Sequence, residues 1–210
     1  MRKMYLSAPL PFVGQKRMLA KEFMKVLEQY PDGTLFVDLF GGSGLLSHIT
    51  KSLKPHSTVI YNDFDNYRFR MKHIPQTNQL LADIREMVGN SVPRHKIIKG
   101  ELRERIFSRI EQEENSTGYV DFITLSSSIL FSMKYKLSVQ DMRKEALYNN
   151  IRKTGYPECT DYLEGLEIVS CDYKEVFNRY KDIPGVVFLV PMCIGHFNPA
   201  DFLRRYWCGI

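Results

Sequence analysis

The residues of this chain best placed for chemistry are a glycine run, Gly41-Gly42-Ser43-Gly44, and three aspartates, Asp38, Asp63 and Asp172. Backbone without β-carbons lets a flat or anionic ligand lie directly against the loop. Asp38 stands two residues before Phe40 at the end of one apolar run, and Asp63 ends a second, Thr58-Val59-Ile60-Tyr61-Asn62. A carboxylate there can accept both hydroxyls of a ribose. Each acid also has a plainer role open to it. Asp63 suits a turn or helix cap within Asn62-Asp63-Phe64-Asp65, Asp38 can cap the following helix, and Asp172 forms a capping box with Glu175. Read from Gly42, the dinucleotide pattern Gly-x-Gly-x-x-Gly ends on Ser47, so the match to a nicotinamide-dependent oxidoreductase is incomplete.

The elements that must position these groups follow from periodicity. Apolar residues at helical spacing predict a helix over Gln15–Tyr30, stopped by Pro31-Asp32-Gly33. Thr34–Leu39 reads as a buried strand, residues 45–53 as a helix ending before Pro55, and Thr58–Tyr61 as a second strand. This β-α-β order implies a doubly wound, mainly parallel α/β sheet. Alternation returns with a strand at Leu166–Ser170, a helix through Val176, Phe177 and Tyr180, a turn at Pro184-Gly185 and a fully buried strand at Val186–Val190. Residues 65–165 break the alternation and read as a mostly helical insertion between two parts of a core, 1–64 and 166–210.

Composition sets the outer bounds. At 210 residues, 44% hydrophobic and 25% charged, the chain can bury one sizeable core and is not disordered in character. The four cysteines lack zinc-site spacing and are too few for a disulfide scaffold, so they read as reduced thiols of a cytoplasmic protein, with no metal expected. No leader or membrane-length apolar run is present, so no membrane partner is expected. The net charge of +5 suits a polyanion. Its basic clusters lie mainly in the insertion, at Arg94 and Lys96, Lys134 and Lys136, Arg143 and Lys144, and Arg152 and Lys153, interleaved with Tyr135, Tyr148 and Tyr156. They suit either the solvated faces of helices or a nucleic-acid surface.

Taken with Pro11-Phe12-Val13-Gly14-Gln15-Lys16, the segments Phe36-Val37-Asp38-Leu39-Phe40-Gly41-Gly42-Ser43-Gly44 and Asn62-Asp63 resemble the D12 class of DNA adenine-N6 methyltransferases, the Dam-like enzymes. The resemblance implies a Rossmann-like methyltransferase fold with S-adenosylmethionine as cofactor. It implies cofactor-binding roles for Phe12, Gly14, Lys16, Asp38, Phe40, Gly41, Gly42, Gly44, Asp63 and Asp172, with Lys16 toward the cofactor carboxylate, Asp63 toward the ribose and Asp172 beside the adenine. Without its neighbours, Lys16 would read as a solvated lysine at a helix start. The resemblance also makes the helical insertion a DNA-recognition region and double-stranded DNA the partner.

One departure stands out. The family's catalytic motif is Asp-Pro-Pro-Tyr, whereas Val190-Pro191-Met192-Cys193 occupies that position here, so no catalytic residue is assigned. Val190 cannot accept a hydrogen bond from an amine, and Cys193 cannot stack on an extruded base. Beyond Cys193 no further β-α alternation follows, although Phe202, Leu203, Tyr206 and Trp207 recur at helical spacing. The expectation is a sheet without its later strands, produced by a reading frame shifted near codon 190, and a homodimer through the uncompleted sheet edge. Two functions then compete: a site-specific DNA adenine-N6 methyltransferase, and a catalytically dead module that binds S-adenosylmethionine or DNA.

Overall fold

The computed structural model describes residues 3–14, 16–131 and 134–190. In chain order its elements are α1 (Ala20–Leu27, entered by a 3-10 turn at Lys16–Leu19), β1 (Phe36–Asp38), α2 (Leu45–Leu53), β2 (Val59–Asn62), α3 (Tyr67–Lys72), α4 (Ile74–Val88), β3 (Ile97–Ile98), α5 (Gly100–Thr117), α6 (Phe122–Ile129), α7 (Val139–Arg143), β4 (Leu147–Tyr148), β5 (Glu167–Val169), α8 (Tyr173–Tyr180) and β6 (Val187–Leu189). They fall into two compact units. Of the described residues, the first comprises those within 3–8, 14–69 and 159–190, and the second those within 9–13 and 70–158.

The first unit is an α/β sandwich about a parallel sheet of order β5-β2-β1-β6. Phe36 and Asp38 of β1 pair with Val59 and Tyr61 on one side and with Val187 and Leu189 on the other. Because successive side chains alternate across a strand, Phe36 joins Phe23, Leu27, Leu45 and Ile49 of α1 and α2. Its neighbour Val37 joins Ile60 and Val176, with Phe177 and Phe188 packed against them. Helices therefore cover both faces, as expected of a doubly wound sheet.

Two details of the sequence reading change. The final strand is not buried throughout, since Phe188 is only half-buried between buried Val187 and Leu189. Among the described residues β6 stands at a sheet edge, so one side of it carries no neighbouring strand. At α8, Asp172 does cap the helix, but its side chain accepts the Lys174 amide, one residue earlier than the capping-box position.

The second unit packs its helices around Leu80, Ile84, Ile106, Phe107, Ile110, Leu125, Ile129 and Met142, all buried. It is not purely helical. The short strands β3 and β4 form an antiparallel pair, Ile97 with Tyr148 and Ile98 with Leu147, which periodicity cannot detect in runs of two residues. The guanidinium of Arg70 makes two bonds of 3.1 Å to the Asp121 carboxylate, and a third of 2.8 Å to the Pro11 carbonyl. Asp121 also caps α6 by accepting the Thr124 amide. The guanidinium groups of Arg103 and Arg143 lie 4.6 and 4.5 Å from the Phe107 ring centre.

Candidate functional site at the carboxyl edge of the sheet

In a parallel sheet ligands bind beyond the carboxyl ends of the strands, and here the glycine loop leaves β1 at that edge. Gly42 and Gly44 both adopt positive φ, 51° and 69°, a conformation that disfavours side chains. Gly41 is required for a different reason. A β-carbon there would lie 2.3 Å from two ring carbons of Tyr61 and 2.8 Å from the Asn62 carbonyl oxygen.

Asp38 ends β1 beneath the loop and is 1% exposed. Its Oδ2 accepts the Ser47 hydroxyl at 2.6 Å, whereas its Oδ1, buried too, has no hydrogen-bond partner among the described residues. Burial pushes its carboxyl up, against the opposing pull of the Lys16 charge, the Ser47 hydroxyl and the Phe40 backbone amide. Asp38 does not cap α2, whose N-cap residue, Gly44, has no side chain to do so. Lys16 is not simply solvated, for its ammonium reaches the Phe40 carbonyl at 3.4 Å.

Asp63 directly follows β2, buried, and its carboxylate is heavily used. Oδ1 accepts the Tyr67 amide at 2.6 Å and the Tyr61 hydroxyl at 3.0 Å, and Oδ2 accepts the Arg68 amide at 3.0 Å. The helix-cap reading of this residue is therefore part of the structure, and the remaining acceptor capacity is centred on Oδ2. Burial raises the Asp63 carboxyl even though these donors and the Arg68 charge pull it down.

Asn62 binds this edge together. Its amide nitrogen donates to the carbonyls of Leu39 and Cys171 at 3.1 and 3.0 Å, and its oxygen accepts the Cys171 amide at 3.1 Å. That bridge fixes the turn into exposed Asp172, where the Tyr173 ring sits 5.0 Å from the half-exposed ring of Phe40. The first unit thus brings Lys16, Asp38, Phe40, Gly41, Gly42, Gly44, Asp63 and Asp172 to one edge. Gly14, exposed with φ 74°, belongs to the same unit, and half-buried Phe12 belongs to the second.

Tyr61, Asn62, Ser47 and Tyr173 are the site residues that the motif reading passed over. Ser47 carried a signal, because it occupies the third-glycine position of the incomplete dinucleotide pattern and there supplies the donor to Asp38. Val190, the first residue of the expected catalytic motif, packs with Phe188 and Phe177 against the sheet, and Pro191, Met192 and Cys193 lie outside the described residues. So does the expected terminal helix.

The eight basic residues divide into two groups. Lys134 and Lys136 both pair with Glu145, at 2.5 and 3.0 Å; Arg143 pairs with Glu104 and Glu111, at 2.7 and 3.0 Å; and Lys144 pairs with Asp141 at 2.7 Å. Arg94, Lys96, Arg152 and Lys153 are exposed and have no ion pair among the described residues. They gather near the β3–β4 ladder, where Arg94 donates to the Ile151 carbonyl at 3.4 Å and Arg85 to the Arg152 carbonyl at 2.8 Å.

The profile of the D12 class N6 adenine-specific DNA methyltransferases matches residues 12–189. The chain belongs to that family. A Haemophilus influenzae protein (strain ATCC 51907 / DSM 11121 / KW20 / Rd) named "Putative methyltransferase" is 38% identical over 218 residues, spanning 97% of this chain and 73% of the relative. The D12 profile stops at the last residue of β6. The relative's alignment, covering nearly all of the chain, runs on past Val190. No described helix is long and apolar enough to cross a membrane.

Proposed function

We propose that this D12-family protein binds S-adenosylmethionine at the carboxyl edge of β1, β2 and β5 and methylates adenine N6 in double-stranded DNA. The observation that carries the reading is the buried, unpartnered Oδ1 of Asp38. An unsatisfied buried acceptor of this kind costs about 1–3 kcal/mol until a donor arrives, and the cofactor's ammonium is such a donor. Lys16 suits the carboxylate at the same end of the cofactor, Asp63 Oδ2 a ribose hydroxyl, and the Phe40 and Tyr173 rings its adenine. When bound, S-adenosylmethionine supplies an electrophilic methyl group on a sulfonium. The chain's own part is to bind, to orient and to keep water from the reacting atoms.

A second reading, a module that binds cofactor or DNA without transferring a methyl group, is favoured by one observation. Val190 occupies the position of the family's catalytic acid, and its side chain packs into the apolar layer over the sheet. Titration calorimetry with S-adenosylmethionine, on the protein and on Asp38→Asn, combined with radiolabelled methyl transfer to adenine-containing duplex DNA, separates the two. Binding with transfer supports the enzyme, and binding without transfer supports the module. Absence of cofactor binding to the unaltered protein overturns the enzyme and the cofactor-binding module, and leaves only a DNA-binding module.

A further inference from the structure

Tyr61 lies in the middle of the sheet, paired with Asp38 on β1 and Ile168 on β5, and none of it is exposed. Its ring packs against two of the loop's glycines. A β-carbon at Gly41 would lie 2.3 Å from ring carbons Cδ2 and Cε2, and one at Gly44 would lie 2.9 Å from Leu163 Cδ2 and 3.3 Å from Tyr61 Cζ. Its hydroxyl then emerges between two acceptors, the Gly42 carbonyl at 2.7 Å and Asp63 Oδ1 at 3.0 Å. A phenol has one proton to donate.

We propose that Tyr61 is a positioning residue for cofactor binding, its hydroxyl coupling the shape of the glycine loop to the charge carried by Asp63. The proposal rests on the reading that S-adenosylmethionine occupies this edge. An ionised Asp63 draws the phenolic proton, because hydrogen bonds to a charged acceptor are the stronger ones. Ribose hydroxyls donating to Asp63 relieve that demand and return the proton to Gly42, so filling the carboxylate steadies the loop. The hydroxyl keeps its proton throughout, since burial and the charges of Asp63 and Asp38 push its ionisation up. The other groups facing Asp63 are the amides of Tyr67 and Arg68 and the Arg68 side chain, and Tyr162 also faces Tyr61.

Tyr61→Phe keeps the ring that the glycines require and removes only the hydroxyl. Titration calorimetry with S-adenosylmethionine across a range of pH should find the variant about tenfold weaker near neutrality. The acid limb of its affinity profile should also lie at higher pH, because Asp63 has lost a donor that held its carboxyl down. Unchanged affinity with an unchanged acid limb overturns the proposal, as does a loss that is equal at every pH. If the unaltered protein fails to bind, it is the cofactor reading that falls. Should circular dichroism find Tyr61→Phe unfolded, Asp63→Asn tests the coupling from the other side. With the charge gone, the proton stays on Gly42 and exchange of the Gly44 amide should slow; exchange at the unaltered rate overturns the proposal.

Discussion

Asp38 accepts the Ser47 hydroxyl at 2.6 Å through one carboxylate oxygen and leaves the other buried and unpartnered among the described residues. On the proposed cofactor reading, this arrangement serves a ligand at the expense of the ligand-free fold. Burial raises the Asp38 carboxyl. A carboxyl raised in the folded state favours folding at pH below its unfolded value, and that contribution is lost as pH rises through the folded value. Asp38→Asn should therefore stabilise the ligand-free protein near neutrality, by about 1–3 kcal/mol, and flatten the dependence of its stability on pH above the ordinary carboxylate range. The same change should weaken S-adenosylmethionine binding at least tenfold or so, by removing the ammonium's partner. Thermal unfolding in several buffers, alongside calorimetry, checks both halves, and a variant less stable than the parent at neutral pH would sink the account.

Gly41 faces the opposite constraint, from beneath the loop rather than from the ligand side. With the Tyr61 ring and the Asn62 carbonyl so close to the place of a β-carbon, Gly41→Ala forces strand and loop apart. The expected loss is about 1–3 kcal/mol, as for other overpacked cores, read as a lower urea midpoint with an unchanged slope. A midpoint equal to the parent's would mean that the loop yields easily, and that the glycine serves the ligand alone.

Much of this was legible in the sequence because it was carried by local pattern. The run from β1 through the glycine loop to α2 changes at the glycines from a nearly unbroken apolar stretch to apolar residues at helical spacing, and the structure places strand, loop and helix there. Asp38 and Asp63 could be placed at strand ends by position alone. What they do there could not, because their partners Ser47, Tyr61, Tyr67 and Arg68 matter through three-dimensional contact. Asn62 was visible as the neighbour of Asp63, but its bonds to Cys171 span 109 residues. The two-residue strands β3 and β4 were invisible for another reason: two residues have no period. The basic clusters illustrate the same limit, since Glu104 and Glu111 lie on a different helix from the Arg143 they neutralise.

The second unit depends on one buried ion pair. Arg70 and Asp121 are 6% and 4% exposed, and Asp121 is also the N-cap of α6. Removing one partner leaves the other charged and desolvated, so Arg70→Met should cost about 3–5 kcal/mol. Asp121→Asn should cost less, because an amide oxygen can still accept the Thr124 amide and bond the guanidinium. Chemical denaturation of the two variants orders them. If Asp121→Asn proves the more damaging, the charge rather than the cap and its hydrogen bonds is what the unit needs.

The basic residues of the second unit make a separable prediction about DNA. Glu145 sits between Lys134 and Lys136, so that trio carries one net positive charge and its carboxylate repels a phosphate that approaches either lysine. Arg143 is held by two glutamates and stacked on Phe107, and substituting it should loosen α5 and α7 rather than report on DNA. Lys96 and Lys153 carry no such burden among the described residues. Each phosphate contact contributes about 0.9 to the slope of log affinity against log salt concentration. Replacing both Lys96 and Lys153 by Ala should therefore lower that slope by roughly 2, whereas replacing Lys134 and Lys136 should change it by about 1 or less. Fluorescence anisotropy with a labelled duplex, titrated at several salt concentrations, measures both. A larger change from the Lys134 and Lys136 pair would place the duplex on the α7 side, with Glu145 swinging clear of it.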